Sequence, residues 1–155
     1  MSPSAGSSVS ALIVRAGGKS CALPIETVVE TLRPGSIAPI PGAPTFVRGL
    51  MAIRGAAVPV VDLAGLLGVG SSQGSRLVVV RAAERRVALW VDTVVGVAPY
   101  PSQRLDTLPP LLSGVQSEVV EKVGMLDSEL LLVLRASRLL PPDALAGLPL
   151  PEVSP

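Results

Sequence analysis

A ten-residue stretch of this chain occurs twice, and that repeat constrains the fold more than any other feature of the sequence. Cys21–Glu30 (CALPIETVVE) aligns with Val87–Gly96 (VALWVDTVVG) in the second half of the chain, with Ala, Leu, Thr, Val and Val identical. The segments that end each half repeat more loosely, Val58–Leu67 against Leu131–Leu140, and at a somewhat longer spacing. Two tandem units of similar structure are expected, with a longer loop in the second.

The two units are predicted to consist mainly of β-strands. Paired apolar runs flank three short turn segments, a pattern typical of β-hairpins. The hairpins join Val9–Arg15 to Lys19–Val29 across Gly17-Gly18, Arg76–Arg81 to Arg86–Val97, and Lys122–Leu126 to Leu130–Leu134. Closing such short sheets into small barrels would remove their exposed edges, so the expected fold is all-β with short helices.

The folded region is predicted to run from residue 9 to residue 140. Its first barrel takes about residues 9–68 and its second about 76–140, with exchange of strands between the barrels left open. The connector Val69–Ser75, rich in Gly and Ser, is the expected flexible boundary between them. Residues 1–8 and 141–155 are expected to be flexible tails, because they offer few apolar groups at regular spacing.

Phe46–Gly68 is predicted to form two strands around an Arg54-Gly55 turn, followed by a helix of one or two turns. Asp62 is the expected N-cap of that helix, and Gly68 the residue that ends it. Pro59 cannot donate a ladder hydrogen bond, so its strand is expected at a sheet edge or with a bulge. A second short helix is predicted over Ala136–Leu140.

Composition excludes several classes of function. Aromatic residues make up 2% of the chain and the net charge is +1, which argues against stacking on single-stranded nucleic acid and against a phosphate-binding surface. With no histidine and one cysteine, disulfide scaffolds and most zinc sites are excluded. Cys21 is expected to be a small buried hydrophobe. No catalytic, cofactor-binding or metal-binding residues are predicted.

No signal peptide is recognised at the N-terminus. Apolar runs such as Leu130–Leu134 are far shorter than the roughly 20 residues that span a bilayer. The protein is therefore expected in the cytoplasm.

Over residues 9–140 the sequence resembles the CheW family of chemotaxis coupling proteins. The resemblance depends on Phe46–Gly49 (FVRG), Ala52–Gly55 (AIRG), Val58–Leu63 (VPVVDL), Val87–Asp92 (VALWVD) and Val95–Val97 (VGV). It implies two SH3-like five-stranded β barrels that share a hydrophobic core. It also implies a non-enzymatic scaffold, without cofactors, that joins the regulatory domain of a CheA-type histidine kinase to the cytoplasmic tips of chemoreceptors.

The same resemblance implies a receptor-binding surface. Arg54 corresponds to the receptor-contacting arginine, and Val28 and Glu30 on a neighbouring strand belong to the same surface. The residues alone leave other interpretations open: Arg54 has no acidic neighbour in sequence and could be a solvated turn residue. Glu30 could be a strand-end carboxylate paired with Arg33.

Trp90 is a further candidate for contact with either partner. Alternation along its strand places Val87, Leu89 and Val91 on one face and Trp90 on the other, which is predicted to be polar. An amphipathic ring there is typical of an interface anchor. The competing interpretation is a ring that covers a loop such as Pro99–Pro101.

A different class of function also stays open at this point. The chain could be a small-ligand-binding β barrel or the accessory domain of an enzyme. The absence of histidine and of any clustered acid-base set counts against that alternative. Capping and turn roles account for Asp62 and Asp92.

Overall fold

The computed structural model describes residues 8–74, 76–101, 119–126, 129–135 and 138–139. Ten strands and one short α-helix lie within these ranges. The elements are β1 (Ser8–Ala16), β2 (Lys19–Pro24), a 3-10 turn (Ile25–Thr27), β3 (Val28–Leu32), β4 (Val47–Ile53), β5 (Ala56–Asp62), α1 (Leu63–Leu67), β6 (Arg76–Ala82), β7 (Arg85–Val91), β8 (Thr93–Pro101), β9 (Val120–Leu126) and β10 (Glu129–Leu134).

The three predicted hairpins are confirmed as the antiparallel pairs β1–β2, β6–β7 and β9–β10. The first returning strand ends at Pro24 rather than Val29, because the 3-10 turn redirects the chain before β3 begins. The second ends at Val91 rather than Val97, because the chain passes at Asp92 into β8, which belongs to the other sheet. At the N-terminus, β1 begins at Ser8, the last residue of the predicted tail. The other tail residues, 1–7 and 141–155, and most of the predicted helix over 136–140 lie outside the described residues.

The strands form two five-stranded sheets, each drawn from both halves of the sequence. One has the order β8-β1-β2-β10-β9 and the other β3-β6-β7-β5-β4. We call them the β1 barrel and the β6 barrel. Each takes a hairpin from one half and three strands from the other, so the sheets do not follow the sequential division into 9–68 and 76–140. Strand exchange is instead the basis of the architecture.

The registers show that the repeat is structural. Leu12 pairs with Leu23 in β1–β2, and Val78 pairs with Leu89 in β6–β7. Val78 follows Leu12 by the spacing of the repeat, and Leu89 follows Leu23 by the same spacing. Even the irregularities recur at this spacing: a bulge leaves Val29 unpaired in β3 and Val95 unpaired in β8. Each strand of the first half therefore has a counterpart in the second.

Three clusters of aliphatic side chains fill the molecule. The largest lies between the two sheets and contains Leu12, Val14 and Leu23 from one and Val78, Val80 and Leu89 from the other. A second cluster lies within the β6 barrel and contains Met51, Ile53, Val58, Val60, Leu77, Val79 and Ala88. A third, smaller cluster lies within the β1 barrel. Two SH3-like barrels that share a hydrophobic core are thus confirmed.

The segment that follows β3 closes the β6 barrel. Ala38 and Leu50 exchange two backbone hydrogen bonds of 2.8 Å, which attaches this proline-rich segment to the outer edge of β4. Gly49 makes the close approach possible, because a Cβ atom there would collide with the carbonyl oxygen of Ala38. Glycine is therefore required at position 49, where the segment after β3 approaches β4.

Pro59 corrects one expectation. Its strand, β5, lies between β4 and β7 and is not an edge. Pairing with β7 begins only at Val60, however, so Pro59 lies in the half of β5 that pairs with β4 alone. The nearby bulge is on β4, where Arg48 lies between the paired residues Val47 and Gly49. Because the parallel pairing with β7 covers only Val60 to Asp62, no residue of β7 pairs with Pro59, and the missing N–H of proline removes no hydrogen bond on that side.

Leu23 and Leu89 provide a test of the repeat as an energetic equivalence. Both side chains are fully buried in the core between the barrels. Truncation of either to Ala removes similar contacts from the same layer, so we expect each variant to lose about 2–5 kcal/mol of unfolding free energy. Urea denaturation of the two variants measures this. A large loss at one position with almost none at the other would contradict the equivalence.

Candidate functional site

The β4–β5 hairpin presents Arg54 to solvent at a tight turn. Arg54 and Gly55 have φ values of 53° and 81°, and they connect the paired residues Ile53 and Ala56. Two successive residues with positive φ are typical of the type I′ turn that matches the twist of paired strands. The sequence predicted this conformation at Gly55 only. The Arg54 side chain is 72% exposed.

Arg54 forms a two-point ion pair with Glu30. Its Nε donates to Oε2 at 3.0 Å, and an NH2 nitrogen donates to Oε1 at 2.8 Å. This partner is distant in sequence, so neither alternative interpretation describes the site: Arg54 is not a free turn residue, and Glu30 pairs with Arg54 rather than with Arg33. Because β3 and β4 are the two edge strands of the sheet, barrel closure brings the pair together.

The pair holds both groups in their charged forms. The hydrogen bonds from Arg54 lower the pKa of the Glu30 carboxyl, and the charge of Arg86 acts in the same direction. Glu30 in turn raises the pKa of Arg54. A bidentate guanidinium–carboxylate contact also fixes the orientation of both groups. The site is therefore an ordered pair of opposite charges between the exposed β4–β5 turn and β3.

Val28 lies close to this pair in the chain but has a different environment. It is partly buried and packs against the core between the barrels. Glu30, with a side chain 21% exposed, lies on the other face of β3 beyond the bulge. Of the three residues predicted to bind the receptor, the structure brings Arg54 and Glu30 into contact, whereas Val28 packs against the core between the barrels.

Trp90 has an intramolecular environment that the sequence did not predict. The face assigned as polar is the inner face of the β6 barrel, where the ring packs beside the second cluster. Its Nε1 donates to the carbonyl of Gly74 at 2.9 Å, and the guanidinium carbon of Arg48 lies 4.2 Å from the ring centroid. The ring therefore covers the connector rather than the Pro99–Pro101 loop. A partner contact by Trp90 stays a prediction.

Asp62 anchors the connector as well as the helix. As predicted, its carboxylate caps α1 by accepting from the Gly65 amide, at 3.3 Å, and Gly68 ends the helix with φ 74°. It also accepts from the Ser72 amide and from Arg48, both at 3.0 Å. Burial alone would raise the pKa of Asp62, but these hydrogen bonds outweigh it and lower the pKa.

The connector is consequently docked, contrary to the flexible boundary expected from its composition. Ser72 is 3% exposed, and the next amide, that of Gln73, donates to the carboxylate of Asp92. Asp92 accepts a second bond, of 2.9 Å, from the Gly17 amide in the β1–β2 turn. Two buried or half-buried aspartates thus satisfy the backbone where the barrels meet.

The structure adds one surface that sequence reasoning did not assign. Val95 and Val97 are 60% and 62% exposed and lie on β8, an edge strand of the β1 barrel. Their alternation with the half-buried Val94 and Ala98 places them on the outer face. Alternating valines predict a half-buried strand, so the sequence signal could not distinguish an inward from an outward row.

Other possible sites receive no support from the described residues. Burial raises the pKa of the Cys21 thiol to about 12, as expected of a small buried hydrophobe. Within the ranges that the structure describes, no group of three or more Cys, Asp and Glu residues is placed to hold a metal ion. None of the helices in those ranges has the length and apolar character needed to cross a membrane.

Comparison with known proteins gives a consistent family. A family model described as CheW-like domain matches residues 10–143. The chain is 35% identical to Protein FrzA of Myxococcus xanthus over 103 residues, which cover 64% of this chain and 63% of that protein. It is 33% identical to Protein PilI of Pseudomonas aeruginosa over 106 residues, 66% of this chain and 60% of that protein. The chain therefore spans less than two thirds of the length of either relative.

Two further similarities bear on the architecture. Chemotaxis protein CheA of Cereibacter sphaeroides contains a segment 36% identical over 92 residues, 54% of this chain and 12% of that protein. The solved structure of the scaffolding protein TtCheW from Thermoanaerobacter tengcongensis superposes with a TM-score of 0.73 at 25% identity, covering 82% of this chain and 88% of that one.

The Asp62 network generates a prediction about pH. The pKa of Asp62 is lowered on folding, so its ionisation stabilises the protein above the unfolded pKa of about 4, and this contribution is lost as pH falls through the folded pKa. Asp62→Asn should cost about 1–3 kcal/mol at pH 7, because it removes the charge that pairs with Arg48 and the second carboxylate oxygen, which accepts from Arg48 and from the Ser71 hydroxyl. Urea denaturation should show this difference shrinking toward pH 3. A difference independent of pH would contradict the assignment.

Proposed function

We propose, since the chain belongs to the family of CheW-like domains, that it is a non-enzymatic adaptor in chemosensory signalling. It couples the cytoplasmic tips of chemoreceptors to the regulatory domain of a CheA-type histidine kinase. The observation that carries the proposal is the ordered ion pair between Glu30 of β3 and Arg54, which lies at the exposed β4–β5 turn within the AIRG stretch that resembles the family.

The hairpin suits a receptor contact for physical reasons. Arg54 is largely exposed, yet its guanidinium is held by two hydrogen bonds and its turn by a rigid pair of strands. A side chain ordered before binding loses less conformational entropy on association. Donors of the guanidinium that Glu30 does not use are available for a carboxylate or carbonyl of the receptor. We assign Arg54 and Glu30 to the receptor-binding surface, with Val28 as its support.

An adaptor also needs a second surface, and we place it on β8. The two barrels differ there: Val29 of β3 packs against the interior of the β6 barrel, whereas its counterpart Val95 is exposed. Two residues further along each strand, the equivalent positions are Thr31 in β3 and the exposed Val97 in β8. Exposed apolar residues on an edge strand favour a protein partner. We assign this strip to the kinase regulatory domain, because it lies on the other barrel from Arg54.

The alternative of a ligand-binding barrel receives no specific support. The interior of the β6 barrel is filled by buried aliphatic or small side chains, and a further cluster fills the β1 barrel. Small-ligand sites are cavities with a few converging polar groups. In the described part of the chain, the ordered polar networks instead stabilise a turn, a helix cap and the connector.

Arg54→Asn tests the receptor surface. Asn accepts positive φ better than most residues, so the turn is retained while the guanidinium is lost. We expect an unchanged fold and receptor-dependent kinase activation weakened by about tenfold or more, the consequence of losing one charged contact. The assay combines a melting curve with reconstitution of receptor signalling fragments and kinase.

Lys19→Asn is the matched control, because it removes an exposed cation beside the β1–β2 turn of the other barrel. It should couple receptor to kinase as well as the unmodified chain. If Arg54→Asn folds and couples normally, the receptor surface lies elsewhere. If it unfolds, Arg54 is a structural residue.

Val97→Asp tests the kinase surface. A charge on an exposed strand position should leave the melting temperature nearly unchanged, and burial of that charge in an interface should weaken binding of the kinase regulatory domain by about tenfold or more. Thr31→Asp places the same charge at the equivalent position of the other barrel and should bind the kinase normally. Equal binding by both variants in isothermal titration calorimetry would remove β8 from the proposal.

A further inference from the structure

Arg81 and Arg86 stand directly opposite each other in β6 and β7, and both are exposed. Directly opposed residues of antiparallel strands project to the same face, and like charges there destabilise the pair. Within the part of the chain that the structure describes, neither guanidinium has a hydrogen bond or an ion pair. The β6 barrel therefore keeps an unfavourable pairing that folding alone does not explain.

These two arginines lie at the same end of the barrel as the receptor surface proposed above. On the inner face, Arg81 is the next residue after Val79 along β6 and Arg86 is the one before Ala88 along β7, so both stand at the mouth of the barrel, just beyond its filled interior. The positive charge of Arg86 reaches the carboxylate of Glu30 and contributes to lowering its pKa. Arg54 and Arg86 therefore both act on a single acid, Glu30, and Arg81 stands beside Arg86.

The other barrel shows that the same backbone position need not carry opposed charges. The counterparts of Arg81 and Arg86 in the first copy of the repeat are Arg15 and Ser20, which also pair directly in β1–β2. There the Arg15 guanidinium donates to the Ser20 hydroxyl at 2.9 Å and to the Gly18 carbonyl at 3.2 Å. In the β6 barrel, arginine at position 86 replaces this hydroxyl acceptor, so Arg81 has no equivalent of the Arg15–Ser20 hydrogen bond.

We propose that Arg81 and Arg86 extend the receptor surface around Arg54 into a basic docking face that binds aspartate and glutamate side chains of the receptor tip. The inference rests on the proposed function and adds the chemistry of the bound segment. The contact of Glu30 with Arg54 shows how a guanidinium of this face binds a carboxylate, by donating two hydrogen bonds to it. An acidic segment would relieve the Arg81–Arg86 repulsion on binding.

Several observations favour acidic protein side chains over phosphate groups. Glu30 lies among the arginines, and Glu84 is exposed in the turn between β6 and β7, so the face alternates in sign. A lipid bilayer or a nucleic acid presents continuous rows of phosphates, which would meet those carboxylates as well as the arginines, whereas a protein segment can place its acidic side chains against the arginines alone. The net charge of +1 also shows no general excess of positive charge.

The test uses the full chain with Arg81→Ser and Arg86→Ser combined, so that both opposed charges are removed; serine is the residue that the other barrel has at the position equivalent to 86. The matched control is Arg76→Ser, an exposed arginine at the opposite end of β6. Binding to a chemoreceptor signalling fragment is measured at several salt concentrations, together with co-sedimentation on vesicles of phosphatidylglycerol and phosphatidylethanolamine. Arg54→Asn is measured in parallel.

We expect the double variant to bind the receptor fragment about threefold to twentyfold more weakly at low salt, with a shallower salt dependence, since two partly exposed charge contacts are lost. Its melting temperature should equal or exceed that of the unmodified chain, and Arg76→Ser should bind normally. If Arg54→Asn loses binding but the double variant does not, the docking face is overturned and the proposed function stands.

Two other results would also overturn the inference. If the unmodified chain binds no receptor fragment, the proposed function fails and the inference fails with it. If the double variant loses vesicle binding while its receptor binding is unchanged, the arginines serve a lipid surface instead.

Discussion

The layer of aliphatic side chains between the two sheets is the interaction on which the rest of the structure depends. Leu23 and Leu89 lie in it at equivalent positions, and their strands belong to different barrels. Neither barrel is complete without strands from the other half of the chain, because the parallel pairs β2–β10 and β5–β7 join the halves. The shared core, the exchanged strands and the docked connector must therefore form together, as a single cooperative unit.

This exchange also determines where the proposed receptor surface is built. Arg54 and Glu30 come from the first half of the sequence, whereas Arg81 and Arg86 come from the second, yet all four belong to the β6 barrel. The closing contact between Ala38 and Leu50 brings the two edges of that barrel close enough for the ion pair. The surface is thus a product of the topology, since no continuous segment contains it.

Much of the local structure could be predicted because it depends on neighbouring residues. The spacing of the repeat agrees with the register of both long hairpins, and Asp62 and Gly68 marked the ends of α1 through the chemistry of helix caps. The features that could not be predicted depend on contacts between residues distant in sequence. Glu30 pairs with Arg54 only after barrel closure, and Trp90 faces a barrel interior that alternation alone could not distinguish from solvent. The connector looked flexible because its anchor, Asp62, acts through backbone amides.

Asp92 has a mechanical consequence for the proposed adaptor function. It is the one residue between β7 of the β6 barrel and β8 of the β1 barrel. Its amide donates to the Arg15 carbonyl, and its carboxylate accepts from the amides of Gly17 and Gln73. A joint held by three hydrogen bonds resists bending, which favours motion of the two barrels as one rigid body. A tilt imposed at the Arg54 hairpin would then arrive at Val95 and Val97 as an equal tilt, with no loss in a flexible linker.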